Sequence, residues 1–237
     1  MVHTAGLGLR MTLVRSVQLR PAMSNASEVS PPDVGTECGI HCALAELVAE
    51  HRIIARVLRT LEHWAISVAR LRLDDRTELM GFTDFFQRFA DDHHHDKEEQ
   101  ILFEAMIEHG VPRDEGPLGM MFREHEQSRA ATRRLVDLAR QDHPWTDEDR
   151  RAVGETSAAY STLLRRHMSK EDEFLYPMVI RRLPLVLNGV AHGFLRFKAH
   201  QTGAAEYRRL LVLGQSLVQR HGPSDAEPRQ LGRRNAR

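Results

Sequence analysis

Cysteine is almost absent from this chain: Cys38 and Cys42 are the only two in 237 residues. Two thiols cannot staple a chain of this size, which excludes a disulfide-framed secreted scaffold and favours a reducing, cytoplasmic setting. Long apolar runs are also missing. Nothing approaches the roughly 20 consecutive apolar residues a membrane helix requires. Arg10, Arg15 and Arg20 interrupt every apolar stretch of the N-terminus, leaving no secretory core. Charge of one sign is lacking too: 33 basic residues balance 33 acidic ones, so no global field draws the chain to nucleic acid or a membrane surface. No segment shows a convincing alternation with the period of a β-strand.

Helical periodicity is what the chain does have. Ile40, Leu44, Leu47, Val48, His51, Ile54, Ala55, Leu58 and Ala65 recur at spacings of three and four. A second pattern starts near Arg76, carries Phe82, Phe85, Phe86, Phe89, Ala90, His94, Glu98, Ile101, Leu102 and Ala105, and is ended by Gly110 and Pro112. A third, from about 118 to 140, presents Met121, Phe122, His125, Ser128, Thr132, Val136 and Ala139. The fourth has Thr146 as N-cap, with acidic residues in its first turn. Its inward face reads Tyr160, Leu163, Leu164, His167, Glu171, Phe174, Leu175 and Met178, before Pro184 breaks or kinks it.

Short connections between long helices predict an all-α fold, an up-down-up-down four-helix bundle over residues 37–183. Additional C-terminal helices are expected over 184–221. Segments rich in Ser, Pro, Gly and charge at 1–36 and 222–237 are expected to be disordered tails.

The apolar faces carry a repeated motif. His94-x-x-Lys97-Glu98 and His167-x-x-Lys170-Glu171 lie 73 residues apart, and both continue as acid, any residue, apolar, Leu, aromatic. Each is preceded by a Glu-His pair, Glu50-His51 and Glu124-His125. The chain therefore reads as two copies of a helix pair, each offering one histidine, then a histidine and a glutamate four residues on. Residues four apart share a helix face. Four histidines (His51, His94, His125, His167) and two carboxylates (Glu98, Glu171) thus point toward one interior.

An ordinary His–Glu pair on a solvated face would explain any one of these helices. It suits four helices agreeing in depth and repeat poorly, because burying unpaired carboxylates is costly. A pair of bound metal ions removes that cost, since metals require deprotonated ligands and supply the compensating charge. Imidazole and carboxylate without thiolate suit iron, with manganese or zinc as alternatives, and bridging carboxylates favour two iron ions. Six ligands for two metals leave coordination positions open to small molecules. At 100° per residue, His93, His95, Glu99 and Glu173 fall off the inward face, although His95–Glu99 repeats the four-residue spacing. Lys97 and Lys170 are expected to snorkel at the helix edge. Cys38 and Cys42 suit small residues near a helix start better than a redox pair.

These motifs resemble those of the hemerythrin-like, HHE cation-binding proteins over about residues 40–180. The resemblance rests on Glu50-His51, the run from His94 to Phe103, Glu124-His125, and His167-x-x-x-Glu171 ending in Leu175-Tyr176-Pro177. It implies a non-haem di-iron centre in a helical bundle, with Glu98 and Glu171 bridging and the four histidines as terminal ligands. The oxygen carriers of that family place a fifth histidine where this chain has Arg129. The resemblance therefore implies a more symmetric centre that senses or reacts with oxygen, peroxide or nitric oxide rather than storing oxygen. An oxidoreductase turning over peroxide or nitric oxide, and a metal-free structural bundle, are the competing readings.

Overall fold

The computed structural model describes the backbone of residues 36–182 and 187–223, with side chains from 43 to 182 and from 189 to 223. The terminal segments expected to be tails, except residues 36, 222 and 223, lie outside this description, as do Pro184 and the side chains of Cys38 and Cys42. Every regular element among the described residues is a helix, and none is long and apolar enough to cross a membrane.

The first helix, α1, spans Thr36–Leu71. α2 (Arg76–Phe85) starts where the Asp75 carboxylate accepts a hydrogen bond from the Glu78 N–H, 3.3 Å away. It continues without a break through π-wound stretches at Phe86–His95 and Glu98–Phe103 into α3 (Glu104–Glu108). Gly110, at φ 88°, takes the chain out of this rod. α4 (Gly116–Ala139) has a proline in its first turn, where no N–H is missed. α5 (Asp147–Lys170) opens with a reciprocal capping box between Thr146 and Asp149, then passes through a π-wound stretch at Glu171–Leu175 into α6 (Tyr176–Arg182).

α1 packs on α5, α5 on α4, α4 on α2, and the Phe86–His95 stretch returns to α1, closing the bundle. Its interior holds two apolar clusters. One is built around Leu58, Leu61, Trp64, Phe82, Phe86, Phe89 and Tyr160. The other contains Leu47, Leu102, Phe103, Met121, Leu175 and Val179. Each of the four long rods passes from one cluster to the other through a buried histidine, so the polar layer is sealed at both ends by hydrocarbon.

The C-terminal elements, α7 (Leu187–Phe197), a π turn at Lys198–Thr202 and α8 (Ala204–His221), cover the outer face of α1 and the second rod. Glycine permits the close approach. A Cβ at Gly193 would lie 2.6 Å from Ile101 Cγ2, and one at Gly214 would lie 2.7 Å from Phe85 Cε2.

The π winding corrects two expectations drawn from a uniform 100° helix. An i→i+5 turn holds more residues, so neighbours diverge less around the axis and the buried face shifts. Phe174, expected inside, is 69% exposed. His93 and His95, expected off the inward face, are buried with His94. The second rod is covered on several sides: its three consecutive histidines meet the C-terminal helices, the bundle centre and α4 respectively.

Candidate metal centre

His94, Glu98, His125, His167 and Glu171 are completely buried, and His51 is nearly so. The structure brings all six sequence-predicted residues together. The nitrogens and carboxylate oxygens of His51, His94, Glu98 and Glu171 lie within 4.8 Å of one another, and so do those of Glu98, His125, His167 and Glu171. The two carboxylates belong to both groups. Glu171 reaches His51 Nε2 with Oε2 at 3.2 Å and His167 Nε2 with Oε1 at 3.1 Å. Glu98 Oε2 sits 3.7 Å from His94 Nε2 and 3.5 Å from His125 Nε2. Each carboxylate therefore spans the two histidine pairs.

Hydrogen bonding fixes which ring nitrogen faces inward. His51 Nδ1 is 2.9 Å from Asp172 Oδ1, and His94 Nδ1 is 2.9 Å from Glu50 Oε2. His125 Nδ1 is 2.7 Å from Glu99 Oε1, and His167 Nδ1 is 3.0 Å from Glu124 Oε2. A carboxylate accepts only, so each Nδ1 carries the proton and each Nε2 of a neutral ring presents a lone pair. With all rings neutral those lone pairs would meet head on: His51 Nε2 to His94 Nε2, and His125 Nε2 to His167 Nε2, are both 2.9 Å. Such contacts need positive charge between them. Glu98 Oε2 and both oxygens of Glu171 are buried without an aligned hydrogen bond. Orienting carboxylates behind imidazoles, facing ring nitrogens and unsatisfied carboxylate oxygens are donors that could hold metal cations. The residues fit.

Titration behaviour reflects the same demand for positive charge. Burial works against protonating His51, yet Asp172 and Glu171 raise its pKa to about 9. Burial is likewise outweighed at His167, raised to about 10 by Glu171 and Glu124. Burial pushes His94 down to about 4. It also pushes Glu98 well above the carboxylate range, reinforced by the neighbouring Glu171 charge. Burial would raise Glu171 too, but the charge of His167 and the facing rings of His125 and His51 hold it well below that range. Protons on His51 and His167 thus play the part a cation would take, and a bound cation would displace them.

Several supporting residues escaped the sequence reading. Glu99 was expected off the inward face; instead it accepts from His125 and from Arg129 Nη2 at 2.9 Å. Arg129 also reaches Asp96 at 3.2 Å, so it clamps the carboxylate that orients His125. Lys97 does not snorkel: it is fully buried, with Nζ 2.6 Å from Glu50 Oε1 and 3.2 Å from Glu46. Lys170 pairs equivalently with Glu124 but remains one-third exposed. Tyr176 donates its hydroxyl to Glu98 Oε1 at 2.5 Å and stacks on His51, as Phe103 stacks on His125. The doubled Glu-His and Lys-Glu spacing was the available signal, because the partners cross between the repeats: Glu99 serves His125, and Asp172 serves His51.

A sealed layer of histidines and carboxylates inside a helical bundle defines a cation-binding helical protein. The chain belongs to the hemerythrin HHE cation-binding domain family, whose model matches residues 42–179. It is also similar to uncharacterized proteins of Mycobacterium tuberculosis and Mycobacterium bovis, at 24% identity over 135 residues, 56% of this chain. The chain spans about half, 51%, of the length of these curated relatives. No solved structure matches it.

Proposed function

We propose that the protein binds two iron ions between its histidine pairs and uses them to sense or react with oxygen, peroxide or nitric oxide. His51 and His94 would hold one ion and His125 and His167 the other, with Glu98 and Glu171 within reach of both. The supporting fold is an up-down-up-down four-helix bundle over residues 37–183, extended by the helices of 184–221 and working in the cytoplasm. The observation that carries the reading is the pair of 2.9 Å contacts between Nε2 atoms whose Nδ1 partners are all carboxylates. Without a metal each contact holds only with a proton on one ring of the pair, whereas ligation would supply positive charge to all four nitrogens at once.

The protein's own residues supply orientation, charge and exclusion. Glu50, Glu99, Glu124 and Asp172 hold the rings in one tautomer and make them better donors. The apolar clusters above and below keep bulk water out. Tyr176 presents a hydroxyl at the edge of the centre and donates its one proton to Glu98 Oε1, which orients that carboxylate. When bound, the iron pair contributes one-electron redox chemistry and open coordination positions. Manganese or zinc are the alternative ions for this donor set. Neither nucleic acid nor membrane is proposed as a partner.

The test is anaerobic reduction of the iron-loaded protein followed by separate exposure to oxygen, peroxide and nitric oxide, read in the visible spectrum. A spectral change with at least one of them is expected, and inertness to all three would contradict the reading. Sustained peroxide or nitric oxide consumption would assign an enzyme; a single stoichiometric conversion would assign a sensor.

A further inference from the structure

The two halves of the centre are related by the sequence repeat, and they are not identical. Tyr176 beside His51 corresponds, 73 residues earlier, to Phe103 beside His125. His95, next to His94, corresponds to Met168, next to His167. Both differences fall on side chains at the centre itself.

His95 lies on the His125–His167 side. Its ring stacks on that of His125 with centroids 4.0 Å apart and planes at 17°, and meets the His167 ring edge-on at 5.5 Å. Donor nitrogens of His95, His125 and His167 lie within 4.8 Å of one another, and all three rings are buried. The orientation of His95 is also that of the four predicted ligands. Its Nδ1 is 3.0 Å from Asp91 Oδ1, an acceptor further fixed by the Ser128 hydroxyl at 3.2 Å. No other hydrogen bond of this ring forms among the described residues, so Nε2 keeps its lone pair.

Buried His93 shows the contrast. Both of its nitrogens are engaged, Nδ1 with Thr202 Oγ1 at 2.7 Å and Nε2 with Glu50 Oε1 at 3.0 Å. It braces the support of His94 and has no nitrogen left for a metal.

We propose that His95 is a fifth imidazole ligand of the metal pair, joining His125 and His167 on one side while His51 and His94 serve the other. The inference rests on the two-metal reading above and goes beyond it. The position four residues after His125 is filled by Arg129, whose guanidinium is engaged with Asp96 and Glu99. The extra imidazole comes instead from the second rod, where π winding turns the residue after His94 toward α4. The symmetric centre expected from Arg129 is thereby replaced by a three-to-two distribution of imidazoles.

The test uses the full chain labelled with 15N-histidine and loaded with zinc, a diamagnetic probe, and follows the Nε2 resonances on metal addition. The proposal expects five to move to the metal-bound position: His51, His94, His95, His125 and His167. His93 should stay put. H95M, which installs the residue found at the repeat-related position, should remove one of the five and weaken zinc binding on that side at least tenfold. Should that variant fail to fold, through-bond correlation in the native protein assigns the signal. Four shifted resonances, with His95 Nε2 unmoved by saturating zinc, would overturn the proposal while leaving the metal pair intact. No shifted histidine at all would overturn the two-metal reading and this inference with it.

Discussion

Lys97 Nζ and Glu50 Oε1 form a 2.6 Å ion pair with both side chains sealed from solvent, directly behind His94. The equivalent pair in the second repeat, Lys170 with Glu124, sits at the protein edge. Removing one member of a buried pair strands the other charge, at a cost of about 3–5 kcal/mol, whereas exposed pairs contribute about 0–1 kcal/mol. K97M is therefore expected to lower the unfolding free energy by about 3 kcal/mol, and K170M by about 1 kcal/mol or less. Denaturant titration of the two variants side by side checks this. Equal effects would contradict the asymmetry.

Glu98 and Glu171 each face both histidine pairs, so E98A or E171A should empty the centre of both ions rather than one. E173A, on the exposed face, should keep the full complement. E99A removes the acceptor that orients His125, and loss of such a partner typically weakens metal binding about 10–100-fold. Elemental analysis after dialysis against graded chelator separates the three classes.

The metal-free protein should lose stability as pH rises above neutrality. The folded pKa values of His51 and His167, about 9 and about 10, lie above the ordinary histidine value of 6.5. A raised folded pKa gives stability that is complete below the unfolded value and disappears as pH climbs through the folded one. The window is therefore pH 6.5 to about 10. Thermal unfolding of metal-free protein across that range should show a falling midpoint, and iron-loaded protein a flatter profile. A midpoint in the metal-free form that rises over this range would contradict the charge arrangement.

Thr146 caps α5 and shares a reciprocal box with Asp149. T146A should cost about 1 kcal/mol, read as a lowered thermal midpoint, with metal content unchanged because the cap lies at the far end of α5 from His167.

The repeat, the four rods and the meeting of His51, His94, Glu98, His125, His167 and Glu171 were legible because each depends on local periodicity carried through a helix. Thr146 as a cap and Gly110 as a stop were legible for the same reason. His95, Phe174 and Lys97 were not. His95 and Phe174 sit in the π-wound stretches Phe86–His95 and Glu171–Leu175, for which uniform helical counting has no signal, and Lys97 sits between two such stretches. Glu99 and Asp172 escaped for another reason: each supports a histidine in the opposite repeat, a contact that only the folded bundle creates. The burial of His93 and Lys97 also depends on α7 and α8, which pack closely through Gly193 and Gly214.

The most direct measurement is the iron content of the full chain purified after expression in iron-supplemented medium, combined with the spectrum of its oxidised form. The account predicts about two irons per chain and the near-ultraviolet absorption of a bridged di-ferric pair. A folded protein that takes up no iron, or only one ion per chain at saturation, would contradict it.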